Sequence, residues 1–291
     1  MRIAVYGRSF NDSFNEPVQQ LFDQLGVAST QVSIFEPFAT FLKSRLTLPS
    51  YTLFNTSDDL KNKVDYLLSV GGDGCMLDTV SLVSDAGIPV LGINTGRLGF
   101  LSHTSSAGIA AAIKALKAGN ITLEERALLE LQTPNNLFGK MNRALNEVTV
   151  HKKDSTSMVT VHTYVDGHYL NSYWADGLII ATPTGSTAYS LSCGGPIVAP
   201  GSRNFVITPI APHNLNVRPL VLNDDSVIKL KAEGRSKQYL ISLDSRSEPF
   251  DSDLELTLKR AKNGMKLIQL ADSDFFMTIR NKLTWGIDKR N

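Results

Sequence analysis

The sequence predicts an α/β N-terminal half, doubly wound and Rossmann-like, followed by a β-rich C-terminal half whose tail returns to the first. Three observations predict this. Strand-like and helix-like segments alternate from Arg2 to about Asn120. Beyond about Leu123 the apolar residues change to a period of two. Glycine-rich loops follow the apolar strands of the first half, as at the ligand-binding ends of parallel sheets. The 291 residues are enough for two ordinary domains, read here as 1–124 joined by the tail 275–291, and 125–274.

RIAVYG (2–7) is a buried strand ending in glycine. NEPVQQLFDQLG follows, with Asn15 as N-cap and Pro17 in the first turn. Val18, Leu21, Phe22 and Leu25 share one helical face, and Gly26 is the stop signal. TQVSIFE (30–36) and DYLLSV (65–70) read as strands. CMLDTVSLVSDAG (75–87) reads as a helix, IPVLGIN (88–94) as a strand, and SAGIAAAIKALKAGN (106–120) as a helix burying Ile109, Ile113 and Leu116. Strands alternating with helices imply parallel βαβ units.

In the second half, Val159, Val161, Thr163 and Val165 alternate with polar or aromatic residues, and Asp166-Gly167 is a hairpin turn signal. DLELTLKRAKNGMKLIQL repeats the pattern, with Leu254, Leu256 and Leu258 on one face and Asn263-Gly264 as its turn. EGRSK (233–237) is a further turn candidate. DFFMTIRNKLTWG reads as a helix packing back on the first domain.

Composition removes several function classes. A net charge of +1 provides no field for bulk nucleic-acid or membrane attraction. No stretch reaches the roughly 18 apolar residues that a membrane helix needs. MRIAVYGRSF is too short an apolar run for a signal peptide, and Cys75 and Cys193 form neither a metal-ligand spacing nor a disulfide framework. A soluble cytoplasmic protein is expected, with neither nucleic acid nor membrane as partner.

SVGGDGCM (69–76) places three glycines around one carboxylate between a strand and a helix. Backbone N–H groups of such a loop and the helix dipole suit an anion, so Gly71, Gly72 and Gly74 fit a phosphate. Asp73 does not, because a carboxylate repels phosphate. It is either a general base for an attacking hydroxyl, or a holder of Mg²⁺, or the side chain of a tight Asx turn. GINTGRLGFLS (92–102) is a second loop of this kind, offering Asn94 and Arg97. Neither a P-loop nor a well-placed GxGxxG is present.

The second half carries its own polar cluster. Asn146 and Glu147 precede a strand, an amide and a carboxylate suited to an adenine edge and a ribose diol, or to a strand-start turn. ADGLIIATPTGSTAYSLSCGGPIVAP (175–200) opens from an apolar strand into hydroxyl side chains among Gly185, Gly194 and Gly195. Small residues permit close approach, hydroxyls supply directional bonds, and Tyr189 offers a stacking face. Ser186 is also a candidate cap for a helix starting at Thr187. Asp176, before the strand, suits acceptance from a ribose or an amide.

These segments, VGGDG, GINTGRLGFL, LNEV, DGLIIATPTGSTAYSLSCGGPIV and APHNLNVRPLV, in this order over residues 70–221, resemble the NAD kinases, also called inorganic polyphosphate/ATP-NAD kinases. The long Thr/Ser/Gly segment is highly specific. GGDG alone is shared with phosphofructokinases and lipid kinases. The resemblance implies transfer of the γ-phosphoryl group of ATP, or a phosphoryl of polyphosphate, to the 2′-hydroxyl of the adenosine ribose of NAD, giving NADP. It implies Asp73 as base, with Gly72 and Gly74 at the phosphates and Mg²⁺ accompanying ATP. The dinucleotide is expected to meet Asn94, Asn146, Glu147, Trp174, Asp176, Thr187, Ala188, Tyr189, Ser190, Leu191, Ser192, Ala211 and Arg246. It also implies self-association, as a homodimer or homotetramer, with a neighbouring subunit touching the dinucleotide.

Three residues depart from the pattern: Cys75 replaces the usual threonine, Trp174 a basic residue, and Arg246 a glutamine or asparagine. Arg246 suits either a dinucleotide phosphate or the nearby Asp244. Two other readings remain at this stage, a different GGDG kinase acting on a lipid or sugar phosphate, and a dinucleotide sensor without turnover.

Overall fold

The apolar run RIAVYG forms strand β1 (Arg2–Gly7), with Ile3 to Tyr6 buried between helical layers. The computed structural model describes residues 1–27, 30–96, 99–102, 104–153, 157–270 and 274–286. By contacts the chain forms two units, Met1–Glu125 with Met265–Asn291, and Arg126–Gly264.

In the first unit, α1 (Asn15–Val27) buries Val18, Leu21, Phe22 and Leu25. Burial of each such side chain contributes about 1.5–3 kcal/mol. A short 3₁₀ turn, Asp12–Phe14, leads into it, so Asn15 is its first residue and not a cap making a side-chain bond. β2 (Gln31–Phe35), α2 (Glu36–Leu42), β3 (Tyr51–Phe54) and α3 (Ser57–Leu60) precede β4 (Tyr66–Val70). α4 (Asp73–Val83) starts on the aspartate of the glycine loop, two residues before the sequence expectation. β5 (Val90–Ile93), α5 (Ile109–Ala118) and β6 (Thr122–Arg126) follow. Gly119 ends α5 in the left-handed conformation that favours glycine at this position.

The sheet runs in the order β3-β2-β1-β4-β5, then a late strand, Met265–Gln269, then β6. β1 pairs in parallel with both β2 and β4. Successive connections therefore leave β1 in opposite directions, and the switch point lies between the carboxyl ends of β1 and β4. The glycine loop occupies that point.

The late strand is a correction. Asn263-Gly264 does not close a hairpin: Leu267 pairs in parallel with Val90 of β5, in the first unit. Leu267 and Ile268 are buried there, so apolar burial overrides the local turn signal. The final helix, Phe275–Leu283, belongs to the same unit, is capped by the Asp274 side chain, and sets Lys282 over the Phe100 ring at 5.0 Å.

The second unit is antiparallel. Its strands are β7 (Leu129–Gln132), β8 (Arg143–Ala144), β9 (Glu147–Lys152), β10 (Val159–Val165), β11 (His168–Ala175) and β12 (Gly177–Ala181). After the short α6 (Tyr189–Ser192) come β13 (Asn204–Ile210), β14 (Leu220–Asn223), β15 (Ile228–Glu233), β16 (Gln238–Leu243), β17 (Arg246–Asp251) and β18 (Leu256–Arg260). Two six-stranded sheets, β11-β10-β15-β18-β7-β8 and β14-β13-β12-β9-β16-β17, share one core. Val148, Val150, Leu178, Ile180, Phe205 and Ile207 of one meet Val159, Val161, Leu230, Leu256 and Leu258 of the other.

The β10–β11 turn is at Asp166-Gly167 as the sequence indicates, both with positive φ (51° and 81°). EGRSK is not a hairpin turn, because β15 and β16 lie in different sheets.

Candidate active site

Gly71, at φ 150°, begins the loop after β4, and a Cβ there would stand 2.3 Å from the Cys75 sulfur. Only glycine fits that turn. Gly72 and Gly74 are exposed, and a Cβ on either would meet nothing within 4 Å, so the loop's outer surface is open. Cys75 is folded inward, and burial raises its thiol pKa. Behind the loop, Asp78 of α4 accepts from Tyr6 Oη at 2.9 Å and from Arg8 Nη2 at 2.6 Å.

The Asp73 carboxylate holds the second glycine loop. Its Oδ2 accepts the Phe100 N–H at 2.8 Å, and its Oδ1 accepts the N–H groups of Leu101 and Ser102 at 3.0 and 3.2 Å. A carboxylate offers about four lone-pair sites, so Oδ2 keeps acceptor capacity. Gly99 lies against it, and a Cβ there would come within 1.8 Å of Oδ1. Asn94 turns inward: its Oδ1 accepts the Gly96 N–H at 2.6 Å and its Nδ2 donates to the Ser102 carbonyl at 3.4 Å. Arg97 lies outside the described residues.

In the second unit, Asn146 and Glu147 form a turn gripped from outside. Asp244, at φ 51°, accepts the N–H groups of Leu145, Asn146 and Glu147 at 2.8, 2.8 and 3.1 Å. From inside, the Thr182 N–H donates to the Asn146 carbonyl at 2.8 Å, and Thr182 Oγ1 donates to the Leu145 carbonyl at 2.6 Å. Gly185 packs so closely that a Cβ would stand 2.0 Å from the Asn146 oxygen. Glu147 therefore enters a crowded, desolvated place. Burial, with the charge of Asp244 adding to it, pushes its carboxyl pKa up to about 8, against a bond from the Tyr189 N–H. Its Oε2 is buried and makes no hydrogen bond.

The Thr/Ser/Gly segment divides into support and surface. Ser186 does not cap a helix: its hydroxyl donates to the Pro183 carbonyl at 2.6 Å and accepts the Val198 N–H at 2.9 Å. Ser190 is fully buried and shares a 2.8 Å hydrogen bond with Thr208. Thr187 Oγ1 donates to the Thr184 carbonyl at 3.2 Å. Tyr189 and Ser192 are exposed, while Ala188 and Leu191 are half-buried. Tyr189 stacks on His151, with ring centroids 5.9 Å apart. Burial lowers the His151 pKa, with Asp176 opposing.

Asp176 pairs with Lys152 Nζ at 2.5 Å. Trp174 is exposed, with its ring centroid 4.2 Å from that of His213, and Ala211, two residues before His213 in sequence, has φ 44°. Arg246 donates to the carbonyls of Met141 and Arg143, and its charge favours the ionised Asp244. Asp244 is the supporting residue whose importance the sequence hides, because its partners lie about a hundred positions away. Its left-handed turn, LDSR between two strands, is the available signal.

No group of three or more His, Cys, Asp or Glu that could hold a metal occurs among the described residues. Among the described residues no helix is long and apolar enough to cross a membrane. The first unit thus carries a glycine loop and helix start suited to phosphate, and the second a clamped amide-carboxylate turn suited to a ribose, parts that a nucleotide-using phosphotransferase needs.

Comparison with known proteins agrees. A model of the ATP-NAD kinase N-terminal domain matches residues 5–121, and one of the ATP-NAD kinase C-terminal domain matches residues 145–270. Proteins named NAD kinase from Cytophaga hutchinsonii and Flavobacterium psychrophilum are each 46% identical to this chain, over 293 and 294 residues, with the whole of both chains covered. Yeast NADH kinase complexed with NADH superposes with a TM-score of 0.86 at 26% identity, covering 99% of this chain and 88% of that one. An NAD kinase from Archaeoglobus fulgidus in complex with ATP gives 0.75 at 27% identity, covering 98% and 99%. The chain belongs to the ATP-NAD kinase family.

Proposed function

We propose that the chain transfers the γ-phosphoryl group of ATP to the 2′-hydroxyl of the adenosine ribose of NAD, producing NADP. The buried, unpartnered Oε2 of Glu147 carries this reading on the binding side. A buried acceptor lacking a donor is costly, and a ribose hydroxyl supplies one. Asn146, Asp176 and the residues Thr187 to Ser192 surround the dinucleotide in this reading, with Trp174, Ala211 and Asn94 beside it. Arg246 supports the Asp244 clamp. Gly72 and Gly74 present backbone to the phosphates.

Asp73 is the base. A ribose hydroxyl is a weak acid, and a positioned carboxylate that takes its proton contributes roughly 10²–10⁴-fold. The N–H bonds from Phe100, Leu101 and Ser102 fix the carboxylate's direction while Oδ2 keeps room for that proton. Mg²⁺ in this reading arrives on the donor's phosphates and keeps several of its waters. When bound, it neutralises phosphate charge.

The chain also self-associates in this reading, as a dimer or tetramer. The strongly exposed Leu215 and the exposed Trp174 support a covered surface, and light scattering of the purified protein tests it. Two free cysteines suit the reducing cytoplasm.

Incubation with NAD, ATP and Mg²⁺, coupled to an NADP-specific dehydrogenase, tests the reaction. NADP should form only when all three are present, and repeats with NADH and with polyphosphate define acceptor and donor. Asp73→Asn should abolish turnover while NAD binding survives. Failure of the wild type to form NADP, with binding intact, would leave a sensor.

A further inference from the structure

The second unit contains an open cavity of about 590 Å³ that shares no lining residue with the Asn146–Glu147 cluster. Three chain segments build it. Arg203 precedes β13, Asp225 lies in the turn after β14, and Lys259, Arg260 and Lys262 come from the end of β18 and the chain beyond it. The hub is Asp224, only 2% exposed. Its Oδ1 accepts from Arg203 Nε at 3.3 Å, its Oδ2 accepts from Arg260 Nη1, and its N–H donates to the Arg203 carbonyl at 3.2 Å.

One buried carboxylate therefore orients two guanidinium groups and neutralises only one of them. The Arg203 side chain remains 74% exposed, so the rest of its donor fork faces solvent. Lys262 is exposed beside it, and Lys259 lies 3.7 Å from Glu130, which partly neutralises it. Asp225 is the acid on the lining. Arginine forks oriented by Asp224, with an exposed lysine beside them, match several phosphate oxygens at once. The volume suits a nucleotide-sized ligand.

We propose that this cavity binds an oligophosphate chain, either free or as the triphosphate of a nucleotide, through Arg203, Arg260 and Lys262. The Asp225 carboxylate favours a ligand that also carries a hydroxyl or amino donor, as a nucleotide does. Nothing in this inference depends on the proposed reaction.

Hydrogen–deuterium exchange of the full chain in the presence of tripolyphosphate, ATP or NaCl of matched ionic strength tests it. Peptides covering 222–228 and 258–264 should be protected by at least one of the two phosphate compounds. Protection by tripolyphosphate alone identifies a free chain, and protection by ATP identifies a nucleotide. Arg203→Ala with Lys262→Ala should weaken binding of the protecting compound at least tenfold and remove that protection. Lys262→Glu, a change at an exposed side chain that leaves packing untouched, should weaken it as well. Absence of protection in these peptides with both compounds, or equal protection in wild type and variants, would overturn the proposal.

Discussion

The carboxylate of Asp244 accepts the backbone N–H of Asn146 at 2.8 Å, joining residues 98 apart in sequence. With the N–H groups of Leu145 and Glu147 on the same carboxylate, a hairpin tip shapes the turn that carries Asn146 and Glu147. Asp244→Ala leaves three backbone N–H groups without their acceptor, at a cost of about 2–4 kcal/mol. The expected outcome is a lower melting temperature and an NAD KM at least tenfold higher, with the ATP KM little changed. Calorimetry and initial-rate kinetics check both.

The raised Glu147 pKa, about 8 against 4.5 for the free side chain, has a definite sign. Below the unfolded value both states are protonated and no penalty exists. As pH rises from there through the folded value, the unfolded chain releases the proton more readily, and stability falls. Glu147→Gln removes the loss. Its melting temperature relative to wild type should rise between pH 5 and pH 8 and level off above about pH 9. A difference that stays constant with pH would contradict this.

Ligand binding should move the same proton. Ribose hydroxyls donating to Glu147 favour its carboxylate, so NAD binding near pH 7.5 should release a proton. Binding heats measured in buffers of different ionisation enthalpy give that number directly. Glu147→Gln should bind without proton exchange.

Gly99 and Asp73 cannot both keep their places if a methyl group is added, since the new Cβ would stand 1.8 Å from Oδ1. Gly99→Ala should lower kcat by roughly 10²-fold through misplacement of the carboxylate. Thermal stability should change by no more than about 2 kcal/mol, because the clash falls on a side-chain carboxylate and not on backbone.

Gly185→Ala meets backbone instead, the Asn146 carbonyl at 2.0 Å, and backbone gives way poorly. A loss of roughly 2–4 kcal/mol and of NAD affinity is expected. Gly201→Ala, where nothing lies within 4 Å, is the control and should be close to neutral in both measurements.

Much of the first unit is legible locally. The spacing of Val18, Leu21, Phe22 and Leu25 is a helical face, and the glycine loop after β4 announces the switch point. The segment 36–60 is less so: α2, β3 and α3 are each seven residues or fewer, too short for periodicity to show. Met265–Gln269 misleads for a different reason. Its apolar pattern suits a strand in either unit, and only tertiary burial decides between them. In the site, residue types at Asp73, Asn146 and Glu147 are readable as chemistry. What those groups hold onto is not, because Asp73 accepts the backbone N–H groups of Phe100, Leu101 and Ser102, and Asp244 accepts that of Asn146, and a backbone N–H carries no sequence signature.

The late strand has a consequence for biosynthesis. During translation, β5 and β6 leave the ribosome early, yet the partner that fills the place between them is encoded only after the whole second unit. The N-terminal sheet must wait, with the Val90 flank unpaired, while the entire β-sandwich is made. Premature termination anywhere ahead of Met265 would therefore release a chain with a raw β-edge, a substrate for aggregation or for quality-control proteases.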